Sequence, residues 1–211
     1  MKIKKFTFNT FQENTYVIES MNKCIIVDPG CSNKEEEETL SNYIKSENLE
    51  PIELINTHCH IDHIFGNNFI SKKYNLKPKI HELDLPLLEN AGLIAKSYGI
   101  SLEQPETDVT FIEEGDVIKL GNTNWEIIFT PGHAPGHICL LDKNNKKIIS
   151  GDVLFNMSIG RTDLPLCNHD DLINSIKNKL LVLDDDTEVF CGHGQNTTIG
   201  FEKKHNPFLK L

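Results

Sequence analysis

One seven-residue segment in the first third of the chain constrains the fold and the chemistry more than any other stretch. It places three histidines and one aspartate directly after the apolar, strand-like run Ile52-Glu53-Leu54-Ile55, and it reads Thr57-His58-Cys59-His60-Ile61-Asp62-His63. Imidazole nitrogen and carboxylate oxygen are ligands for zinc, iron and manganese. A loop that closes a strand is also a place where such groups can converge. The segment therefore predicts a metal site.

The direction of the side chains follows from the expectation that this segment is extended. Side chains alternate between two faces of an extended chain, so we expect His58, His60 and Asp62 to point one way and Cys59 the other. Cys59 is therefore not expected to be a ligand. His63 begins a helix-like stretch and can turn towards the same point.

Three further candidate ligands follow strand-like runs later in the chain, each beside a glycine. His133 follows the strand that ends at Phe129, Asp152 follows Ile148-Ile149-Ser150, and His193 follows Val189-Phe190-Cys191. Glycine allows close backbone approach at such positions. With the first segment, these residues make seven candidate ligands, five histidines and two aspartates.

Composition excludes several classes of function. The 211 residues suffice for one sizeable domain, and the net charge of −10 argues against a nucleic-acid partner. We expect no membrane partner, because no apolar run is long enough to span a bilayer and no apolar segment of a signal peptide follows Met1. The six cysteines form no CxxC pair and are expected to be free thiols in a cytoplasmic protein.

The pattern of strands and helices predicts an α+β fold. Three strands of a meander precede Asp28-Pro29-Gly30, and a helix follows, with Ser32 as its predicted cap and Glu35 three residues on. The second half repeats the succession of strands followed by a helix, over 171–181. We predict a single domain over 1–211, a four-layer αββα sandwich in which two mixed sheets pack face to face with helices outside.

The four ligand blocks resemble those of a known family. Thr-His-x-His-x-Asp-His at 57–63, Thr-Pro-Gly-His at 130–133, Gly-Asp at 151–152 and Gly-His at 192–193 resemble the metallo-β-lactamase superfamily. Within it, the chain is most similar to the short, single-domain glyoxalase II-like (hydroxyacylglutathione hydrolase-like) branch. The segments 12–16, 28–30, 158–165 and 206–209 support this resemblance, which covers essentially the whole chain.

The resemblance implies a ligand set for two divalent metal ions. Zinc is the expected metal, and iron and manganese stay open. One ion would be bound by His58, His60 and His133, the other by Asp62, His63 and His193, and Asp152 would bridge them. The resemblance also implies that Asp28 orients the ligand loop. Asp62 and Asp152 are predicted to be catalytic, whereas His137 is expected to support the site and not to bind a metal.

The function implied by this resemblance is hydrolysis of a small acyl-thiol, a thioester such as S-lactoylglutathione, by a hydroxide that bridges the two metals. Four alternatives stay open at this point. The first is a persulfide dioxygenase, in which residues of the type of His58, His133 and Asp152 would bind a single iron. The others are a β-lactamase, a hydrolase of another ester or lactone, and a metal-binding protein without catalysis. The oligomeric state is left open.

Overall fold

The structure, a computed structural model, describes residues 1–210. These residues form two compact units, one built from 1–112 with 119–123 and the other from 113–118 with the chain from 124 onward. The prediction that 1–211 is a single domain stays a prediction. No helix among the described residues has the length and hydropathy needed to cross a bilayer.

The first unit contains a six-stranded mixed sheet in the order β1-β2-β3-β4-β5-β6. The meander β1–β3 is antiparallel, as predicted, and β3 to β6 run parallel. The carboxyl ends of β3, β4 and β5 therefore lie at the same edge of the sheet. The strands are β1 Lys2–Phe8, β2 Glu13–Ser20, β3 Lys23–Val27, β4 Glu50–Ile55, β5 Pro78–Ile80 and β6 Thr110–Phe111.

Five helices of the first unit connect these strands. They are α1 Lys34–Ser46, α2 Ile61–Ile64, α3 Asn67–Tyr74, α4 Leu85–Glu89 and α5 Ala91–Ser97, with a single 3₁₀ turn at Glu82–Asp84. Leu40 and Ile44 of α1 and Ile70 of α3 pack with Val17 and Ile26 of the sheet, and burial of these apolar side chains stabilises the unit.

Two local expectations for the first unit are wrong. The cap of α1 is Asn33, whose side chain accepts a hydrogen bond from the Glu36 backbone, and not Ser32; Glu36 instead accepts hydrogen bonds from Ser32. The ligand segment is also not extended throughout, because Asp62 lies in α2. Asp62 therefore owes its direction to a helical turn and not to strand alternation.

The second six-stranded sheet has the order β14-β13-β10-β9-β8-β7. Because β8 and β10 are both antiparallel to β9, and β13 is parallel to β10, the carboxyl ends of β8, β10 and β13 share one edge. The strands are β7 Val117–Leu120, β8 Thr123–Phe129, β9 Ile138–Asp142, β10 Lys147–Gly151, β13 Glu188–Cys191 and β14 Thr197–Thr198. A two-stranded hairpin pairs β11 Leu154–Phe155 with β12 Ser158–Ile159.

Two helices cover apolar residues of the second unit. The helix α6, His169–Ser175, continues into a π-helical turn at Ile176–Leu180, and α7 spans Ile199–His205. Leu172 and Ile176 belong to the same apolar cluster as Ile148 and Val189. Sequence analysis did not anticipate α7 or the two-residue strands β6, β11, β12 and β14. The predicted α+β class with two mixed sheets and helices is confirmed.

Candidate metal centre

In the first unit, the four candidate ligands of the motif lie close together after β4. The ring centroid of His58 is 4.7 Å from that of His60 and 4.1 Å from that of His63. The Asp62 Oδ2 atom is 3.7 Å from His63 Nε2. His58 and His63 are buried, whereas His60 and Asp62 are partly exposed. The structure therefore brings these four predicted ligands together, with two of them accessible.

In the second unit, the three remaining candidates meet at the common edge of β8, β10 and β13. The Asp152 Oδ2 atom lies 3.5 Å from His133 Nε2 and 3.4 Å from His193 Nε2. One carboxylate oxygen is thus placed between two imidazole nitrogens. This arrangement suits a carboxylate that shares its oxygens between two cations.

In three of the histidines the Nδ1 atom is hydrogen-bonded within the protein. This leaves Nε2 as the nitrogen that can bind a metal. His63 Nδ1 is 3.0 Å from Asp28 Oδ2, and His133 Nδ1 is 2.8 Å from the carbonyl oxygen of Arg161. His58 Nδ1 is 3.0 Å from Thr57 Oγ1. Hydrogen bonds of this kind set the tautomer and orientation of metal-binding histidines. The donor chemistry of this set fits divalent metal ions.

Asp28 holds the ligand loop, as the sequence analysis expects. Its Oδ1 accepts a hydrogen bond from the Thr57 backbone at 2.7 Å, and its Oδ2 accepts one from the Thr57 hydroxyl at 2.6 Å. Since the hydroxyl proton of Thr57 goes to Asp28, Thr57 Oγ1 accepts the proton of His58 Nδ1. Asp28 therefore orients His63 directly and His58 through Thr57.

His137 supports Asp152 and does not have a nitrogen left for a metal. Its Nε2 accepts a hydrogen bond from the Asp152 backbone N–H at 3.0 Å, and its Nδ1 lies 2.9 Å from Thr130 Oγ1. The side chain is fully buried. The expectation that His137 is not a ligand agrees with these contacts.

Two glycines allow the backbone to approach Asp152. A Cβ atom built on Gly192 would overlap Asp152 Oδ1, and one built on Gly160 would overlap the Asp152 carbonyl oxygen. A larger side chain would displace the Asp152 carboxylate from position 192 and the Asp152 backbone from position 160. The predicted role of glycine beside the ligands is confirmed at Gly192.

Sequence analysis missed Asp84, a fully buried carboxylate of the first unit. Its Oδ2 accepts a hydrogen bond at 2.7 Å from the backbone N–H of Cys59, in the centre of the ligand motif. Asp84 follows β5, whose carboxyl end lies beside that of β4. The sequence signal for Asp84 is its position four residues after the end of a strand. Cys59 itself is buried, and burial raises the pKa of its thiol well above the usual value.

Glu13 is a second residue whose role was not anticipated. Its carboxyl group is fully buried, with Oε1 3.9 Å from His63 Nδ1 and Oε2 accepting a hydrogen bond from Thr15 at 2.9 Å. Burial raises the pKa of this carboxyl well above its usual range, and the neighbouring His63 opposes that rise. An acidic residue two positions before the predicted strand Thr15-Tyr16-Val17-Ile18 was the available signal.

Arg161 and Asp163 brace the loop whose backbone holds His133. Arg161 Nε and Nη2 donate to the two oxygens of Asp163 at 2.6 and 2.7 Å. The guanidinium hydrogen bond lowers the pKa of the Asp163 carboxyl to about 2. The Arg161 guanidinium is therefore paired with the Asp163 carboxylate of the same loop.

Comparisons with known proteins identify the family of the chain. The family model of the metallo-beta-lactamase superfamily matches residues 8–193. A hydroxyacylglutathione hydrolase, GloC of Haemophilus influenzae, is 37% identical over 99% of this chain and 98% of its own length. Among solved structures, the BLEG-1 B3 metallo-beta-lactamase has a TM-score of 0.88 and 33% identity and covers 100% of both chains. TTHA1623 in a di-iron-bound form has a TM-score of 0.88 and 35% identity and covers 98% of this chain and 100% of that one.

The chain belongs to the metallo-β-lactamase superfamily. It has the fold of that superfamily and the His and Asp cluster of a metal-binding site, and it is a metal-dependent hydrolase.

Proposed function

We propose that the protein hydrolyses thioesters of small thiols at a centre that holds two divalent metal ions. In this proposal His58, His60 and His133 would hold one ion, Asp62, His63 and His193 would hold the other, and Asp152 would serve both. The placement of Asp152 Oδ2 within 3.5 Å of two imidazole nitrogens is the observation that supports the bridging role most directly. Zinc is the proposed metal, and the di-iron form of TTHA1623 makes iron the first alternative.

The reaction consumes one water and exchanges the C–S bond of the thioester for a C–O bond. The oxygen of water forms a bond to the acyl carbon, the C–S bond breaks, and the proton of water goes to the thiolate, so that a carboxylic acid and a thiol leave without any change in oxidation state. Divalent metal ions supply polarisation of the acyl carbonyl and water of lowered pKa.

The residues of the chain supply the geometry for this chemistry. Asp28 and the Arg161 carbonyl keep the Nε2 atoms of His63 and His133 directed as ligand atoms. His137 accepts the backbone N–H of Asp152, and Gly192, which has no side chain, leaves room for the Asp152 carboxylate. Since the metal and water can perform the chemistry, no protein nucleophile is required.

Similarity to GloC supports a thioester of glutathione as a substrate. The acyl-thiol substrate, the cytoplasmic location and the absence of nucleic-acid or membrane partners remain proposals that rest on the sequence. Similarity to BLEG-1, a metallo-beta-lactamase, supports β-lactam hydrolysis as the second candidate, because an amide carbonyl would react by the same addition of water.

The test combines elemental analysis with assays of the purified protein. We expect two divalent ions per chain and cleavage of S-lactoylglutathione that proceeds under argon. Asp152→Ala should lower metal content and reduce turnover by at least about 100-fold, because loss of a group that merely supports a metal ligand already costs about 10- to 100-fold. Asp186→Ala is the matched control, because Asp186 pairs with Lys146 beyond the opposite end of β10 and should leave both readouts unchanged.

Three outcomes would overturn the proposal. Wild-type turnover in Asp152→Ala would remove the bridging role. One iron per chain with oxygen uptake in the presence of glutathione persulfide would indicate a dioxygenase. Cleavage of a chromogenic cephalosporin without cleavage of any thioester would select the β-lactamase alternative.

A further inference from the structure

Three aromatic side chains form a surface in the first unit that the proposed ligand set does not use. The Phe11 ring stacks on Phe65 with centroids 6.5 Å apart and meets Tyr98 edge-on at 6.4 Å. Phe11 and Tyr98 are 38% and 53% exposed. We call these three rings the aromatic platform. Contiguous exposed rings on a folded surface mark a binding site more often than isolated ones do.

The platform is fixed to the segment that carries the predicted ligands. The Asn9 Nδ2 atom donates to the carbonyl oxygen of Asp62 at 3.0 Å, and Asn9 Oδ1 accepts the backbone N–H of Phe11 at 2.9 Å. One side chain thus joins the loop of Phe11 to the ligand loop. Phe65 directly follows α2, the helix that contains Asp62 and His63. The platform is therefore held beside these ligands from two sides.

The platform carries no charged group, and the two lysines of the adjoining cleft already make contacts with other side chains. Phe65 also lines a cleft of 480 Å³ to which Lys72, Lys73 and Glu103 contribute. Lys72 lies 3.5 Å from Glu103, and Lys73 lies over the ring of Phe69 at 5.2 Å. An anionic group would have to displace these contacts. An apolar group would lie on the rings without any such loss.

We propose that the aromatic platform binds an apolar acyl chain attached to the scissile carbonyl, so that thioesters with medium-chain or aryl acyl groups are preferred over short ones. This inference rests on the proposed thioester hydrolysis and specifies its substrate class. The rings then determine specificity, and the metal ligands determine reactivity.

The test compares acetyl, butanoyl, hexanoyl and benzoyl thioesters of one thiol. In the wild-type protein, KM should fall about two- to fourfold for each added methylene, as expected for methylenes removed from water. Phe11→Ala and Tyr98→Ala should each flatten this dependence, so that KM for the hexanoyl thioester approaches KM for the acetyl thioester. Phe111→Ala is the matched control, an aromatic residue of β6 that is 48% exposed and outside the platform.

A binding measurement separates this inference from the proposed function. Hexanoate and acetate, two of the expected product acids, are titrated into the metal-loaded protein by calorimetry. Hexanoate should bind at least about tenfold more tightly than acetate, and this ratio should collapse in Phe11→Ala. Phe11→Leu, which keeps an apolar side chain, should retain part of the ratio, and far-UV circular dichroism verifies that both variants fold.

The outcomes are distinct. Thioester hydrolysis without chain-length preference overturns the role of the platform and leaves the proposed function standing. A hexanoate preference that depends on Phe11, in a protein that cleaves no thioester, overturns the proposed function and supports the platform. A preference that Phe11→Ala and Tyr98→Ala leave unchanged also overturns the role of the platform.

Discussion

Asp28 illustrates how a single buried carboxylate can organise a metal loop. It adopts a positive φ of 49°, a conformation that Asp tolerates better than most residues, and it accepts hydrogen bonds from Thr57 and His63. The side chain is 1% exposed, so its bonds are protected from competition with water. A residue of this kind fixes the orientation of the ligand side chains without contacting a substrate.

We expect Asp28→Asn to weaken metal binding by about 10- to 100-fold, the usual cost of losing a carboxylate that orients a histidine ligand. The amide keeps the volume and removes the negative charge that holds His63 Nδ1–H. Metal affinity would be measured by competition with a chromophoric chelator. Asp108→Asn is the control, because Asp108 is exposed and pairs with Lys77 at 2.7 Å. Equal affinities for both variants would contradict the role assigned to Asp28.

At the scale of the element, the start of α1 shows how neighbouring residues with similar propensities can exchange roles. Both Ser32 and Asn33 are good caps, and the sequence pattern pointed to Ser32 because Glu35 follows three residues later. In the structure the Asn33 side chain accepts a hydrogen bond from the Glu36 backbone at 3.1 Å, and the Glu36 carboxylate returns to the Ser32 backbone at 2.7 Å. The Glu36 carboxylate therefore returns to Ser32, the residue before the cap, and not to the backbone of the cap itself.

Asn33→Ala should lower the free energy of unfolding by about 1 kcal/mol, because a backbone N–H of the first helical turn loses its partner. Ser32→Ala should cost less, because the bond from the Ser32 backbone to Glu36 is retained. Urea denaturation of both variants and of the wild type measures the difference. A larger loss of unfolding free energy in Ser32→Ala than in Asn33→Ala would indicate that Ser32 is the cap, as the sequence pattern predicted.

At the scale of the whole molecule, the single-domain prediction has a measurable consequence. Trp125 is the only tryptophan, is fully buried and belongs to the second unit, whereas Cys24 is fully buried in the first. If 1–211 is one domain, Trp125 fluorescence and the protection of the Cys24 thiol should be lost at the same urea concentration. Two separate midpoints would show that the units unfold independently.

Metal removal should lower the stability of the folded chain, because a ligand that binds only the native state stabilises it. At a free metal concentration of about 100 times Kd, the expected gain in the free energy of unfolding is about 2.7 kcal/mol. Urea denaturation with and without a chelator measures it. An unchanged midpoint would indicate that the metal also binds the unfolded chain or is not bound tightly by the native one.

Local patterns were sufficient to predict most strands and helices. The meander, α1 and the strands that precede the ligands contain alternating or continuous apolar runs. Such runs predict a strand or helix without information about distant parts of the chain. The two-residue strands β6, β11, β12 and β14 have no such pattern, because they form only where another segment offers a partner. The helix that contains Asp62 was expected to begin only at His63, because four residues are too few to show a helical period.

The identity of the seven candidate ligands was determined by the sequence itself, because histidine and aspartate in those blocks have few other uses in combination. Only the tertiary structure decided which atoms face which. It placed Asp152 Oδ2 between His133 and His193, and it showed that Asp84 joins the expected Asp28 in holding the ligand loop. Residues distant in sequence meet because adjacent strand ends share an edge of a sheet, and that adjacency arises from strand pairing, which local residue patterns do not encode.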